Sequence, residues 1–75
     1  MTLRDVLAKN LRRFRHARGL SQEGLAYEAG IDRTYVSALE RSVYAASIDT
    51  IEKLAVVLGV EPADLLGNQK QRPRH

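Results

Sequence analysis

The stretch Leu20-Ser21-Gln22-Glu23-Gly24-Leu25-Ala26-Tyr27-Glu28-Ala29-Gly30-Ile31-Asp32-Arg33-Thr34-Tyr35-Val36-Ser37-Ala38-Leu39-Glu40-Arg41 decides how this chain folds. Ser21 and Asp32 carry short side-chain oxygens suited to capping a helix N-terminus. Leu20 with Leu25, and Ile31 with Val36, stand at hydrophobic-staple positions around those caps. Gly30 is a natural stop, since glycine takes the left-handed backbone after a helix without penalty. Helices are therefore predicted over 21–29 and 32–40, with only Gly30 and Ile31 between them. So short a link makes the two helices cross sharply instead of lying antiparallel. Ala26, four residues before Gly30, is small enough for close approach, and Leu25, Val36 and Leu39 are spaced to pack beneath both helices. The alternative is an ordinary helical hairpin within a bundle.

Working outward, the same punctuation recurs. Leu3, Leu7, Leu11 and Phe14 follow helical spacing, Thr2 with Asp5 resembles a capping box, and Gly19 closes a helix over 2–18. Ser47 opens a helix over 47–58, stapled by Ala46 and Ile51; Glu61-Pro62 opens another over 62–66, stapled by Val60 and Leu65. In the fourth helix Ile48, Ile51, Leu54, Ala55 and Leu58 form an inward stripe, with Val57 at its margin and Val56 projecting almost opposite. Gly59 and Gly67 act as further stops. Gly24 inside the second helix costs up to about 1 kcal/mol relative to alanine, with no reason visible in the sequence. No segment alternates with the period of a strand. The expected fold is all-α: five helices in one domain over 1–66, with the helix-turn-helix at helices 2 and 3, and a basic, disordered tail over 67–75.

Composition narrows the class. The chain has 75 residues, 44% of them hydrophobic and 28% charged, and no cysteine. A domain this short buries only about 60% of its unfolded surface, so a partner is expected to supplement its core. Lack of cysteine excludes disulfides and thiolate metal sites, and His16 and His75 are too far apart to make a zinc site alone; no metal and no cofactor are expected. The longest apolar run, Leu54-Ala55-Val56-Val57-Leu58, falls far short of the roughly 20 residues of a membrane helix. Met1-Thr2-Leu3-Arg4-Asp5 holds an acid and no secretory segment, so a cytoplasmic protein is expected. Charge is unevenly spread: residues 1–18 hold six cations against Asp5 alone, residues 19–66 three cations against eight acids, and the last nine residues three more cations. That net-basic balance favours a nucleic-acid partner. An enzyme finds little support, with no paired histidines and no phosphate-cradling glycine loop.

With Val36 and Leu39 inward, the third helix presents Arg33, Thr34, Ser37 and Ala38, with Asp32 at its cap and Arg41 just beyond. A short, polar face that is positive at its start suits the N-terminal part of a helix in the DNA major groove. Arg33 has the fork to bond guanine O6 and N7 together, a contact worth about 1–3 kcal/mol of discrimination; the competing role is a surface ion pair with Asp32 or Glu28. Thr34 offers a methyl to thymine or a hydroxyl to a base or phosphate. Asp32 either caps the helix or accepts from a cytosine amine, and Ala38 leaves room for a base edge.

The stretch Gly19–Arg41, continued through Ile51-Glu52-Lys53-Leu54-Ala55, Leu58-Gly59-Val60 and Asp64-Leu65-Leu66, resembles the phage-repressor-like (Xre/Cro) helix-turn-helix family. Asp32-Arg33-Thr34-Tyr35 followed by Ser37 and Glu40-Arg41 is most similar to the controller proteins of restriction–modification systems. The resemblance implies that Arg33 and Thr34 read bases with Ser37 at the groove. It implies that Gln22, Tyr35, Arg41 and Ser47 contact phosphates, Gln22 and Ser47 at helix N-termini that favour anions. It further implies a partly buried ion pair between Arg15 and Glu40; Arg12 and Arg13 have no counterpart and count as general positive field. Relatives usually follow Glu-Arg with Gly-Glu-Arg-Asn or similar, whereas this chain reads Ser42-Val43-Tyr44-Ala45-Ala46. Tyr44 thus either replaces a lost phosphate contact or packs at an interface, and Tyr27 is either a phosphate contact or surface cover.

Val56 on the outer side of helix 4, with Val60 and Leu66, suggests a two-fold homodimer through helices 4 and 5. Dimerisation sets two recognition helices about one DNA turn apart on a near-palindromic operator. By the same resemblance, two dimers occupy adjacent sites, activating or repressing the protein's own promoter in contact with RNA polymerase, in a bacterial or mobile-element setting. The competing class is a protein-interaction module, antitoxin-like or polymerase-contacting, with DNA binding secondary.

Overall fold

Five helices follow one another in a computed structural model that describes residues 2–67: α1 (Leu3–Ala17), α2 (Gln22–Ala29), α3 (Arg33–Glu40), α4 (Ile48–Leu58) and α5 (Pro62–Leu66). No strand occurs among the described residues. Apart from Gly67, the tail expected over 67–75 lies outside them.

Each helix starts where its cap dictates. The Thr2 hydroxyl accepts from the Asp5 amide while the Asp5 carboxylate accepts from the Thr2 amide, a complete capping box. Ser21 accepts from Gly24 N at 2.9 Å, Asp32 from Thr34 N at 2.7 Å, and Ser47 from Thr50 N at 3.1 Å. Glu61 and Asp64 cap α5 reciprocally around Pro62. All four staples close: Leu25, Val36, Ile51 and Leu65 are buried, and Leu20, Ile31, Ala46 and Val60 pack half-buried against the same core. Gly30 and Gly59 end α2 and α4 in the left-handed conformation, at φ 71° in both cases. Gly67 differs from them: it ends α5 in extended backbone, at φ −107°.

The core is one cluster of Leu7, Leu11, Leu25, Val36, Leu39, Leu54 and Leu65, with their smaller neighbours. α3 packs against both α1 and α2, α4 against α2, and α5 against α1 and α4. Two members of the expected stripes lie outside it. Ile48 is 78% exposed and Leu3 66% exposed, both as the first residues of their helices. Ile48 lies roughly 70° round the helix from the mean of the other stripe residues at 3.6 residues per turn, beyond what the neighbouring helices cover. Thr50 is buried instead, its hydroxyl accepting from Ser47 at 2.9 Å.

The backbone explains Gly24. A Cβ there would sit 3.2 Å from Ser21 Oγ and 3.6 Å from Leu20 Cδ2, crowding the cap and the staple that start α2. The helix-propensity cost of glycine is accepted where a side chain would press on the capping hydroxyl.

Asn10 is the one polar residue on the buried face of α1 that pairs across the fold with α5. Its amide nitrogen reaches the carbonyls of Leu65 at 3.0 Å, Gly67 at 2.9 Å and Asp64 at 3.3 Å. A five-residue helix has almost no internal hydrogen bonds to hold it, so these carbonyls are satisfied from outside. Asn10→Ala should cost about 1–2 kcal/mol, in the lower part of the range for stranding buried acceptors, because two of the three carbonyls stay partly accessible to water. Urea unfolding measures the loss, and amide exchange should show α5 losing protection before α1.

Candidate nucleic-acid interface

α3 is fastened to the body by Val36, Ala38, Leu39 and Glu40, all buried. This corrects the expected outer face. Ala38 is 3% exposed and presents nothing to a groove, in a helix that packs against both α1 and α2. The open surface is the N-terminal turn: Arg33 and Thr34 are exposed, while Tyr35 and Ser37 are half-buried beside them.

The local chemistry leaves Arg33 uncommitted. The Asp32 carboxylate accepts from Thr34 N, so it serves as the cap. Among the described residues the only ion pair is Arg15–Glu40; Arg33 pairs with neither Asp32 nor Glu28. An exposed guanidinium at the first turn of a half-open helix keeps its fork of donors for an external acceptor.

Further down α3, Arg41 Nε donates to Ser37 Oγ at 3.4 Å, gathering those two side chains one turn apart. The Tyr35 and Tyr44 rings lie 6.4 Å apart, centre to centre, tilted by 59°. Tyr44 therefore stands next to α3 on the side that Tyr35 occupies. Val43 and Tyr44 are exposed, as is Ile48 at the start of α4. Ser47 spends its hydroxyl on Thr50, so what the α4 terminus offers an anion is its unpaired backbone N–H groups.

Beneath this surface lies the Arg15–Glu40 pair that the resemblance implied. Arg15 Nε meets Glu40 Oε2 at 2.6 Å and its Nη2 meets Oε1 at 2.9 Å, with 10% and 2% of the two side chains exposed. The bonds to Glu40 raise the Arg15 pKa above its ordinary value, and burial opposes them less strongly. Arg15 Nη1 also donates to the Leu20 carbonyl at 2.9 Å, tying α1 to the turn before α2. Gln22 Nε2 donates to Glu40 Oε1 at 3.0 Å, and Arg12 donates to the Glu40 carbonyl. Arg12 thus has a defined role at the end of α3 beyond the general field assigned to it. Arg13 lies 6.0 Å from the centre of the Phe14 ring.

The turn after α3 stores a strained residue. Ser42 has φ 63°, a conformation that glycine adopts freely and serine does not. Its hydroxyl donates to Asp5 Oδ1, linking the turn to the capping box of α1. The glycine that relatives usually carry at this point was the available sign of a left-handed residue. The Ser42 hydroxyl is the main cause of an Asp5 pKa below the usual 3.8, with the Thr2 amide and hydroxyl adding to it. A carboxylate held low favours the fold above its unfolded pKa and loses that contribution as pH falls through the folded value. Ser42→Ala should move the Asp5 pKa back up toward 3.8. NMR titration of the Asp5 carboxyl measures this; an unchanged pKa would show that the Thr2 contacts alone hold it.

Arg33 and Thr34 are exposed and Arg15 pairs with Glu40, as the sequence leads one to expect, whereas Asn10 and the link from Gln22 to Glu40 were not foreseen. Asn10 was signalled by its place three residues after Leu7 on the apolar face of α1. The Gln22 link had no local signal, since 18 residues separate the partners.

Comparison with known proteins agrees with this geometry. A helix-turn-helix family matches residues 11–65. A hypothetical transcription factor of Neisseria meningitidis is 50% identical over 70 residues, which cover 93% of this chain and 66% of the relative. The crystal structure of the Neisseria factor superposes with a TM-score of 0.89 at 48% identity, covering 93% of this chain and 80% of that one. Control protein C.BamHI of Bacillus amyloliquefaciens is 40% identical over 76 residues, covering 93% of this chain and 94% of that protein. The biofilm regulator SinR, in a crystal structure with DNA, gives a TM-score of 0.79 at 32% identity, covering 81% of this chain and 98% of that one.

Proposed function

The chain belongs to the Xre/Cro-type helix-turn-helix family of DNA-binding transcription regulators and is related to the restriction–modification controller proteins, and we propose that it is a dimeric, operator-specific regulator of its own promoter. The family is not one of enzymes. The observation that carries the proposal is the open first turn of α3, where Arg33 is exposed and unpaired among the described residues.

In the proposed complex, α3 enters the major groove. Arg33 and Thr34 read base edges and Ser37 lies at the groove, held by Arg41. Gln22 at the start of α2, Tyr35 on α3, Arg41 just past its end, and the Ser47 terminus of α4 bind phosphates. The ring contact between Tyr35 and Tyr44 supports placing Tyr44 with the phosphate contacts. Residues 1–66 serve as the DNA-binding domain. The protein acts in the bacterial cytoplasm. No helix among the described residues is long and apolar enough to cross a membrane.

The dimer face is proposed on α4 and α5. Val56 is 80% exposed at the edge of a shallow groove lined also by Glu52, Lys53, Val60 and Pro62. Leu66 is half-buried at the end of α5. A two-fold axis through this patch would bury apolar surface that a 75-residue domain otherwise leaves in water. Two such dimers on adjacent sites, activating at one and repressing at the other, would give the switch from activation to repression that the kinship to controller proteins suggests, with RNA polymerase as a further partner. Sedimentation tests the dimer. The protein should run as a dimer at micromolar concentration, and Val56→Glu should shift it to monomer while the helical circular dichroism is kept. A monomer in both proteins, with duplex present or absent, would contradict this assembly.

A further inference from the structure

The Glu40 carboxylate is almost wholly enclosed and holds Arg15 through both of its oxygens. Oε1 also takes a second donor, Gln22 Nε2, at 3.0 Å. A carboxylate only accepts, and of the two ends of a primary amide only the NH2 group donates. The orientation of the Gln22 amide is therefore fixed by chemistry: nitrogen toward Glu40, oxygen away. One Nε2 hydrogen is committed and one remains. Gln22 is the first residue of α2 and half-buried, beside backbone N–H groups that the helix cannot bond internally. A long side chain gives up rotamer freedom when it makes a contact, and one already ordered has less to lose on binding.

We infer that Glu40 is a positioning residue for DNA binding: by holding one hydrogen of the Gln22 amide, it orders that side chain with the second hydrogen left for a phosphate oxygen. The inference rests on the proposed DNA-facing role of the α2 N-terminus. Arg15 fixes the carboxylate from α1 and Arg12 fixes the Glu40 carbonyl. The contacts run from α1 through the end of α3 to the start of α2, so one network sets both the seat of the recognition helix and the orientation of a backbone contact. A pair that only held the fold together would need no partner on α2.

The test is a double-mutant cycle on duplex affinity with Gln22→Ala, Glu40→Gln and both together, at a temperature where circular dichroism shows each variant folded. Glu40→Gln keeps the shape but removes the charge that dictates the amide orientation. Gln22→Ala should weaken binding about tenfold, in line with one hydrogen bond to a charged group. Glu40→Gln should weaken it comparably, and the double variant should lose no more than the larger single loss. Losses that multiply to about 100-fold would overturn the positioning role and leave the phosphate contact standing. An unchanged Gln22→Ala affinity would overturn both, while salt-dependent duplex binding by the wild type would still uphold the proposed function. No duplex binding by the wild type would overturn that function itself.

If Glu40→Gln does not fold, the wild-type spectrum decides. The Gln22 side-chain amide should have an order parameter near that of rigid backbone, about 0.85, and one of its two hydrogens should shift far more than the other on adding duplex. An amide below about 0.6 would overturn the inference.

Discussion

Arg15→Met lowers the unfolding free energy by about 3–5 kcal/mol, the expected result of stranding one member of a buried ion pair. The loss is large because of where the pair sits. Glu40 has 2% of its side chain exposed, and the variant leaves its charge with Gln22 Nε2 as the remaining side-chain donor. The Leu20 carbonyl loses its donor as well. A chain of 75 residues has a total stability of roughly 4–11 kcal/mol, so this one change should unfold much of the population near physiological temperature. Urea titration followed by circular dichroism measures it. Charge removal alone accounts for the loss if Arg15→Met with Glu40→Leu regains most of it, since two apolar side chains in place of a buried pair are close to neutral. A single variant within 1 kcal/mol of wild type would show that water reaches Glu40 and that the pair is a surface contact in practice.

Arg33→Ala gives the second large effect, on recognition instead of stability. The side chain is exposed and makes no ion pair among the described residues, so its removal should leave the unfolding transition within about 0.5 kcal/mol of wild type. Loss of a bidentate base contact should cost about 1–3 kcal/mol at one base pair in each half-site, or roughly 5-fold to 150-fold in preference over the other three pairs. Competition binding with duplexes altered at single positions locates that pair. The pattern matters more than the size. A loss spread evenly over all sequences, with a shallower salt slope, would place Arg33 on a phosphate and move base reading to Thr34 or Ser37.

Much of the fold was legible because its signals are local. The caps, the staples of α2 to α5 and the glycines after every helix except α3 lie within a few residues of the boundaries they mark. Ser21, Asp32 and Ser47 all cap as their chemistry predicts. The errors arose where a neighbouring element decides. Periodicity places Ile48 in the inward stripe, but as the first residue of α4 it stands 78% exposed while Thr50 is buried. Spacing alone left Ala38 outward, yet the packing of α3 against α1 and α2 leaves it 3% exposed. Asn10 and the tie from Gln22 to Glu40 depend on which helix ends meet in three dimensions, which helical period does not encode. At the start of α3, the exposure of Arg33 and Thr34 was readable from the inward spacing of Val36 and Leu39 on the same helix. The support under that start was readable only in part. The Arg15–Glu40 pair came from family resemblance, and the third and fourth members, Gln22 and Arg12, came from the structure.

Selection from a pool of randomised duplexes tests the central claim most directly, that this chain reads a defined DNA sequence as a two-fold dimer through the first turn of α3. The wild-type protein should enrich one consensus made of two inverted half-sites with centres about one helical turn apart, near 34–36 Å. Selected in parallel, Arg33→Ala should enrich the same spacing with one position per half-site relaxed. A pool that stays random, or a single consensus that Arg33→Ala leaves intact, would contradict the account.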